Sequence, residues 1–194
     1  MLDNLNKYSI ILASNSPRRK ELLAGLDIDF SIRIIPDIDE SYPHSLKGKE
    51  IPLYISEKKA AAYIETMQDS DLIITADTIV YADSKALGKP VTDEEACEML
   101  RLLSGRQHEV ITGVCVLSKS KKISFSSTTT FFFSVLTEDE INYYVKKYKP
   151  LDKAGAYGIQ EWIGYVGVNA LNGSYFNVMG LPIQRLYEIL KNEF

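Results

Sequence analysis

The chain has 194 residues, 45% of them hydrophobic and 25% charged, a composition that suits one folded domain with a real core and excludes a low-complexity or disordered chain. A formal net charge of −4 argues against a general nucleic-acid or anionic-membrane surface, but leaves room for a local basic pocket. The two cysteines, Cys97 and Cys115, give neither a disulfide framework nor zinc spacing and read as buried free thiols. The opening MLDNLNKYSI carries no charged region followed by an apolar one, and no apolar run reaches membrane-spanning length. The expectation is a cytoplasmic protein with no membrane or nucleic-acid partner.

Residues 8–13 form an apolar run that reads as a buried strand. The turn Ser14-Asn15-Ser16-Pro17 follows, and then a helix that closes near Gly25. Ser16 suits the N-cap, and Pro17 the first turn, where its missing N–H costs nothing. A strand that turns sharply into a helix points backbone N–H groups at the turn, where anions bind. Arg18 and Arg19 in that first turn oppose the helix dipole, a penalty that a bound polyanion reverses. A solvated arginine pair is the plainer alternative. Residues 28–35 alternate and read as a strand stopped by Pro36, ahead of the acidic loop Asp37-Ile38-Asp39-Glu40. Those carboxylates repel one another unless water or a hard cation screens them.

Pro52 opens a predicted helix to about Met67, with Ile55, Lys59, Ala60, Tyr63, Ile64 and Met67 near one face. Lys59 therefore lies on or beside the buried stripe. Residues 71–80 read as a central strand, and an acid within that apolar run, Asp77, is costly to bury unless paired or metal-bound. The strand is expected to break at Asp77-Thr78. Such strand-end carboxylates commonly line a ligand crevice. After a turn at Asp83-Ser84, Pro90 holds Lys89 on an extended backbone. Thr92 with Glu95 is a capping box opening a helix to Leu103, closed by Gly105.

Residues 108–117 and 123–136 read as a long hairpin. Thr137 with Glu140 is a second capping box, for a helix that Pro150 ends. Residues 151–160 hold two glycines and two alanines, a loop that something can approach closely. Residues 182–192 form a terminal amphipathic helix, and neither His44 nor His108 has a partner at metal-ligand spacing. Strands alternating with helices, plus one hairpin, give an α/β class with a mixed sheet. Neither GxxxxGK[ST] nor GxGxxG occurs.

Arg18, Arg19, Lys59 and Lys89 are candidate cations; Glu40 and Asp77 are candidate carboxylates. Cations, a divalent metal and a carboxylate base are what nucleoside triphosphate hydrolysis requires. The chain resembles the Maf (septum-formation inhibitor) family of nucleoside triphosphate pyrophosphatases. The matching motifs are LASNSPRRKELL at 12–23, IDE ending at Glu40, Lys59-Ala60, ADTIV at 76–80 and GKP at 88–90. LSGRQHEVITGV at 103–114, DKAGAYGIQ at 152–160 and NGSY with NVMGLP at 172–182 complete them.

The resemblance implies a single domain over residues 1–194. Its fold would be the two-lobed α/β architecture of inosine triphosphate pyrophosphatases, a mixed sheet with flanking helices and a central cleft. It further implies cleavage of a triphosphate between its α and β phosphates. Asp77 would be the proton acceptor; Glu40, with Asp77, would hold Mg²⁺ or Mn²⁺. Ser14, Arg18, Arg19, Lys59 and Lys89 would bind substrate. Arg18, Thr78 and Gln160 match positions tied to substrate choice. SPRR, ADT and AGAYGIQ resemble the family branch that prefers dTTP and UTP, not the sister branch acting on 7-methyl-GTP. Gln160 offers a donor and an acceptor to the imide edge of uracil or thymine. Ser56 and Trp162 depart from or adjoin the motifs; Trp162 is expected to pack. A nucleotide-binding regulator of septum formation is the alternative reading, and a monomer or homodimer is expected.

Overall fold

The computed structural model describes residues 2–194. A short 3-10 turn, Asp3–Lys7, precedes β1 (Ser9–Leu12), α1 (Pro17–Ala24), β2 (Ser31–Ile32), α2 (Glu50–Ala61) and β3 (Asp71–Ala82). Next come β4 (Lys85–Leu87), α3 (Asp93–Leu103), β5 (Gln107–Leu117), β6 (Lys122–Phe133) and α4 (Glu138–Tyr148). A 3-10 turn at Ala154–Ala156 leads to α5 (Trp162–Gly167), β7 (Val168–Asn172), α6 (Tyr175–Met179) and α7 (Ile183–Glu193). Among the described residues, seven strands form one mixed sheet in the order β2-β1-β3-β5-β6-β7, with β4 paired to β3. β1 runs parallel to β2 and β3, while β4 on β3 and β7 on β6 are antiparallel.

The chain divides into two compact units. The first comprises the chain up to Asp77 with Thr112–Ser127 and Gly180–Phe194. Its core joins Ile11, Ile73, Cys115 and Leu117 of the sheet to Ala60 of α2 and to Tyr63 and Met67 beyond its end. The second comprises Thr78–Ile111 and Thr128–Met179. There α3 lies against α4, and both bury an apolar stripe: Ala96, Leu100 and Leu103 on α3, Ile141, Tyr144 and Val145 on α4. Phe131 and Phe133 of β6 also turn inward. They stand within 5.5 Å, centroid to centroid, of each other, of His108 and of Tyr157. Burial in that aromatic cluster lowers the His108 imidazole from 6.5 to about 4. Both cysteines are free and buried, as their apolar surroundings predict.

Several boundaries differ from the sequence pattern for physical reasons. The strand expected over 28–35 shrinks to two residues, because the backbone beyond it finds other partners. The Tyr63 hydroxyl donates to the Arg33 carbonyl (2.7 Å) and accepts from the Ile35 amide (3.1 Å). α2 starts at Glu50, ahead of Pro52. Proline is tolerated anywhere in a first turn, since those amides have no acceptor within the helix. Thr137 and Glu140 make the full reciprocal capping box. Thr92 accepts from the Glu95 amide, but the Glu95 carboxylate reaches back one residue further, to the Val91 amide at 2.6 Å. β3 does not break at Asp77-Thr78 but runs through to Ala82. No helix among the described residues is long and apolar enough to cross a membrane.

Candidate active site

The site grows from a mismatch of strand lengths. β1 pairs with β3 only as far as Leu12 opposite Ile74. β3 continues for eight more residues, and its antiparallel pairing with β4 starts at Val80. Asp77 therefore lies mid-strand, beyond the end of its parallel neighbour, where the β1 side of the ladder is open. After β1 the chain turns through Ser14 and Ser16 into α1, so the first turn of α1 is brought to this gap. Ser16 caps α1 by accepting from the Arg19 amide at 3.4 Å.

Arg19 closes the gap. Its Nη1 donates to the Ala76 carbonyl (2.9 Å) and to Ser14 Oγ (3.3 Å), while Nε donates to the Gly180 carbonyl (2.8 Å). The same Ser14 Oγ, buried, accepts from the Ser16 amide at 3.3 Å. Burial pulls the Arg19 guanidinium below its ordinary value and Asp77 pushes it back up. A guanidinium stays charged through shifts of this kind. Arg19 thus anchors the backbone beside Asp77, tying α1, β3 and the segment before α7 together.

The carboxylates meet on one ammonium. Lys59, near the C-terminal end of α2, places Nζ 2.9 Å from Asp77 Oδ1 and 2.9 Å from Glu40 Oε1. The Lys59 and Asp77 side chains are 14% and 12% exposed, so this pair is not a solvated surface bridge; Glu40, 56% exposed, approaches from the solvent side. Neighbouring Lys58 does the same for the next acid, donating to Asp39 Oδ2 at 2.7 Å. Asp39 also accepts from the Ser41 amide and hydroxyl. These hydrogen bonds, that of Lys58 foremost, hold the Asp39 carboxyl well below the usual carboxylate range. The acidic loop is therefore clamped by two consecutive lysines. Sequence reasoning missed Lys58, although two adjacent lysines facing two adjacent acids were there to find.

The structure brings Ser14, Arg19, Glu40, Lys59 and Asp77 together in the first unit. Arg18, half-buried, follows Pro17 in the same first turn of α1. Thr78, Lys89 and Gln160 belong to the second unit. There Lys89 is exposed, and Thr78 and Gln160 are half-buried. Within that unit the Gly155 amide donates to the Gly88 carbonyl at 3.0 Å, fastening the 152–160 loop to GKP. Gly155 has φ +68°, and a Cβ there would come 2.7 Å from Val80 Cγ2. The loop therefore rests on β3 three residues past Asp77, in a place that only glycine fits. Trp162 packs edge-to-face on Tyr143, centroids 4.9 Å apart.

The family model described as Maf-like protein matches residues 9–193. A "dTTP/UTP pyrophosphatase" of Parabacteroides distasonis is 60% identical over 192 residues, covering 99% of this chain and 100% of the relative. A protein of the same description from Bacteroides fragilis is 59% identical, with 98% and 99% covered. One from Flavobacterium johnsoniae is 46% identical, with 97% and 96% covered. Among solved structures, the Staphylococcus aureus Ham1 protein has 18% identity and a TM-score of 0.50, covering 96% of this chain and 100% of that one. A HAM1 protein from Coxiella burnetii has 16% identity and a TM-score of 0.50, with 94% and 98% covered. These two share the fold. With a family match across both units and such identity over whole lengths, the chain belongs to the Maf family.

Proposed function

We propose that the chain hydrolyses dTTP and UTP to the nucleoside monophosphate and pyrophosphate, with Asp77 as the base that accepts the proton of the attacking water. One observation carries this reading: two carboxylates from separate elements converge on a single ammonium, at the point where β3 outruns β1. Whole-length relatives described as dTTP/UTP pyrophosphatases support the substrate class. The family match spans both units, which supports treating the chain as one functional domain.

Glu40 and Asp77 fit a divalent metal. Their oxygens are hard donors already directed at a common cation. Among the described residues there is no group of three or more His, Cys, Asp or Glu side chains to make an all-protein cage. Mg²⁺ and Mn²⁺ suit one or two carboxylates, with water and substrate phosphates filling the other positions. Such an ion, when bound, neutralises developing charge on the phosphate oxygens.

The residues then divide the work. Lys59 moves its positive charge from the carboxylates toward the incoming phosphates, while Arg18 and Lys89 bind the triphosphate. Arg19 keeps Ala76, and with it Asp77, in place. A water oxygen bonds to the α-phosphorus, the bond to the bridging oxygen breaks, and pyrophosphate departs. The water proton passes to an Asp77 carboxylate oxygen. Gln160 reads the imide edge of the base. A general base of this type contributes about 10²–10⁴-fold. Asp77→Asn keeps shape and hydrogen-bond acceptance toward Lys59 but cannot take the proton. Its kcat for UTP should fall at least about 100-fold, with nucleotide binding retained in equilibrium dialysis. Unchanged turnover would remove Asp77 as the base.

A further inference from the structure

The 152–160 loop is held by a cluster that the reading above does not use. Between Lys153 and Gln160 the chain reads Ala-Gly-Ala-Tyr-Gly-Ile. Tyr157 is buried in the aromatic cluster and Ile159 is buried too, while polar groups hold the stretch around Gly158. The Gly158 amide donates to the Tyr144 hydroxyl at 3.0 Å. That hydroxyl donates in turn to Glu161 Oε2 in a short hydrogen bond. Glu161 Oε1 lies 3.1 Å from Lys153 Nζ, which also pairs with Asp152. The Glu161 amide closes the turn on the Gly158 carbonyl at 3.0 Å.

Gln160 thus sits between two residues, Gly158 and Glu161, that are tied to one hydroxyl on α4. The fit is tight, since a Cβ on Gly158 would meet Glu161 Cδ at 3.0 Å and Lys153 Cε at 3.1 Å. The Lys153 and Glu161 side chains are only 9% and 19% exposed. A buried ion pair is weak evidence for stability, because its desolvation offsets its attraction. What such a network does well is fix geometry when every member has a partner. A single amide at the end of a glycine loop contributes to binding only if its backbone is already in position.

We infer that Tyr144, Glu161 and Lys153 are positioning residues that set the place of Gln160 and so the affinity for the pyrimidine base. This rests on the reading of Gln160 given above. Tyr144→Phe keeps the fully buried ring and deletes only the hydroxyl. Its KM for UTP should rise about tenfold, the cost of roughly one hydrogen bond, while kcat at saturation stays within about twofold. The inhibition constant of inorganic tripolyphosphate, which has no base, should not move.

A double-mutant cycle separates the outcomes. Gln160→Ala should raise the KM for UTP by itself, and adding Tyr144→Phe should raise it no further. An equal effect of Tyr144→Phe in both backgrounds, or no effect in the wild type while Gln160→Ala has one, overturns the inference alone. An unchanged KM in Gln160→Ala overturns the reading of Gln160 itself. Glu161→Gln carries the same cycle should Tyr144→Phe fail to fold, with the same pair of results deciding it.

Discussion

At the scale of single residues, the site depends on which charges are buried and with what. Asp77 and Lys59 were legible in the sequence because each is a charge set in an apolar pattern, and the structure pairs them at 2.9 Å. Arg19 was legible as a position but not in its contacts. Nothing in SPRR says that its guanidinium grips the Ala76 and Gly180 carbonyls, since both partners are backbone groups brought in by the fold. Lys153, Tyr144 and Glu161 escaped because their common point is the Glu161 carboxylate, which Tyr144 reaches from a helix distant in sequence.

His108 carries a prediction at this scale. It is 3% exposed, with Nε2 2.7 Å from the Tyr157 hydroxyl and Nδ1 buried without a hydrogen bond. The folded protein takes up this proton only near pH 4, the unfolded chain near 6.5. Between those values the unfolded state binds more protons, so stability rises with pH. The contribution is fully present above 6.5 and is lost as pH falls toward 4, about 3 kcal/mol in all. Urea unfolding from pH 7 to 4 should show this loss in the wild type. His108→Gln, which keeps a polar partner for Tyr157, should flatten that part of the profile; an identical slope would contradict the assignment.

At the scale of elements, periodicity found the strands and helices that bury a face: β1, β3, the β5 and β6 arms, α3, α4 and α7. It overextended residues 28–35, where alternation was real but the backbone went to the Tyr63 hydroxyl instead of a ladder. It passed over β7, whose residues are mostly exposed and which, among the described residues, pairs only with β6, so no apolar pattern marks it. It also divided β3 at Asp77, because a buried acid reads as an end when its partner Lys59 comes from another element.

The join between β5 and α2 is set by one residue. A Cβ on Gly113 would lie 2.3 Å from the Pro52 carbonyl group and 2.5 Å from the Leu53 nitrogen. These are backbone atoms that cannot step aside. Gly113→Ala should therefore destabilise the protein by at least about 3 kcal/mol, the upper end of overpacking costs, read as a lowered urea midpoint. A loss under about 0.5 kcal/mol, the level of an ordinary surface change, would mean that α2 is not seated on β5 in this way.

At the scale of the whole molecule, family membership was legible because ordered motifs run through nearly the entire chain, and the match over residues 9–193 agrees. Two lobes were expected from the resemblance, but their boundary was not legible, since β3, β5 and β6 each pass from one unit to the other and no linker marks it. The chemistry assigned to the site is tested most directly by pyrophosphate release. Folded protein would be assayed with Mg²⁺ or Mn²⁺ against dTTP, UTP, CTP, ATP, GTP, inosine triphosphate and 7-methyl-GTP. Stoichiometric pyrophosphate and monophosphate from dTTP and UTP, well above the other substrates, is the predicted result. No turnover of either pyrimidine triphosphate, or preference for inosine triphosphate or 7-methyl-GTP, would contradict it.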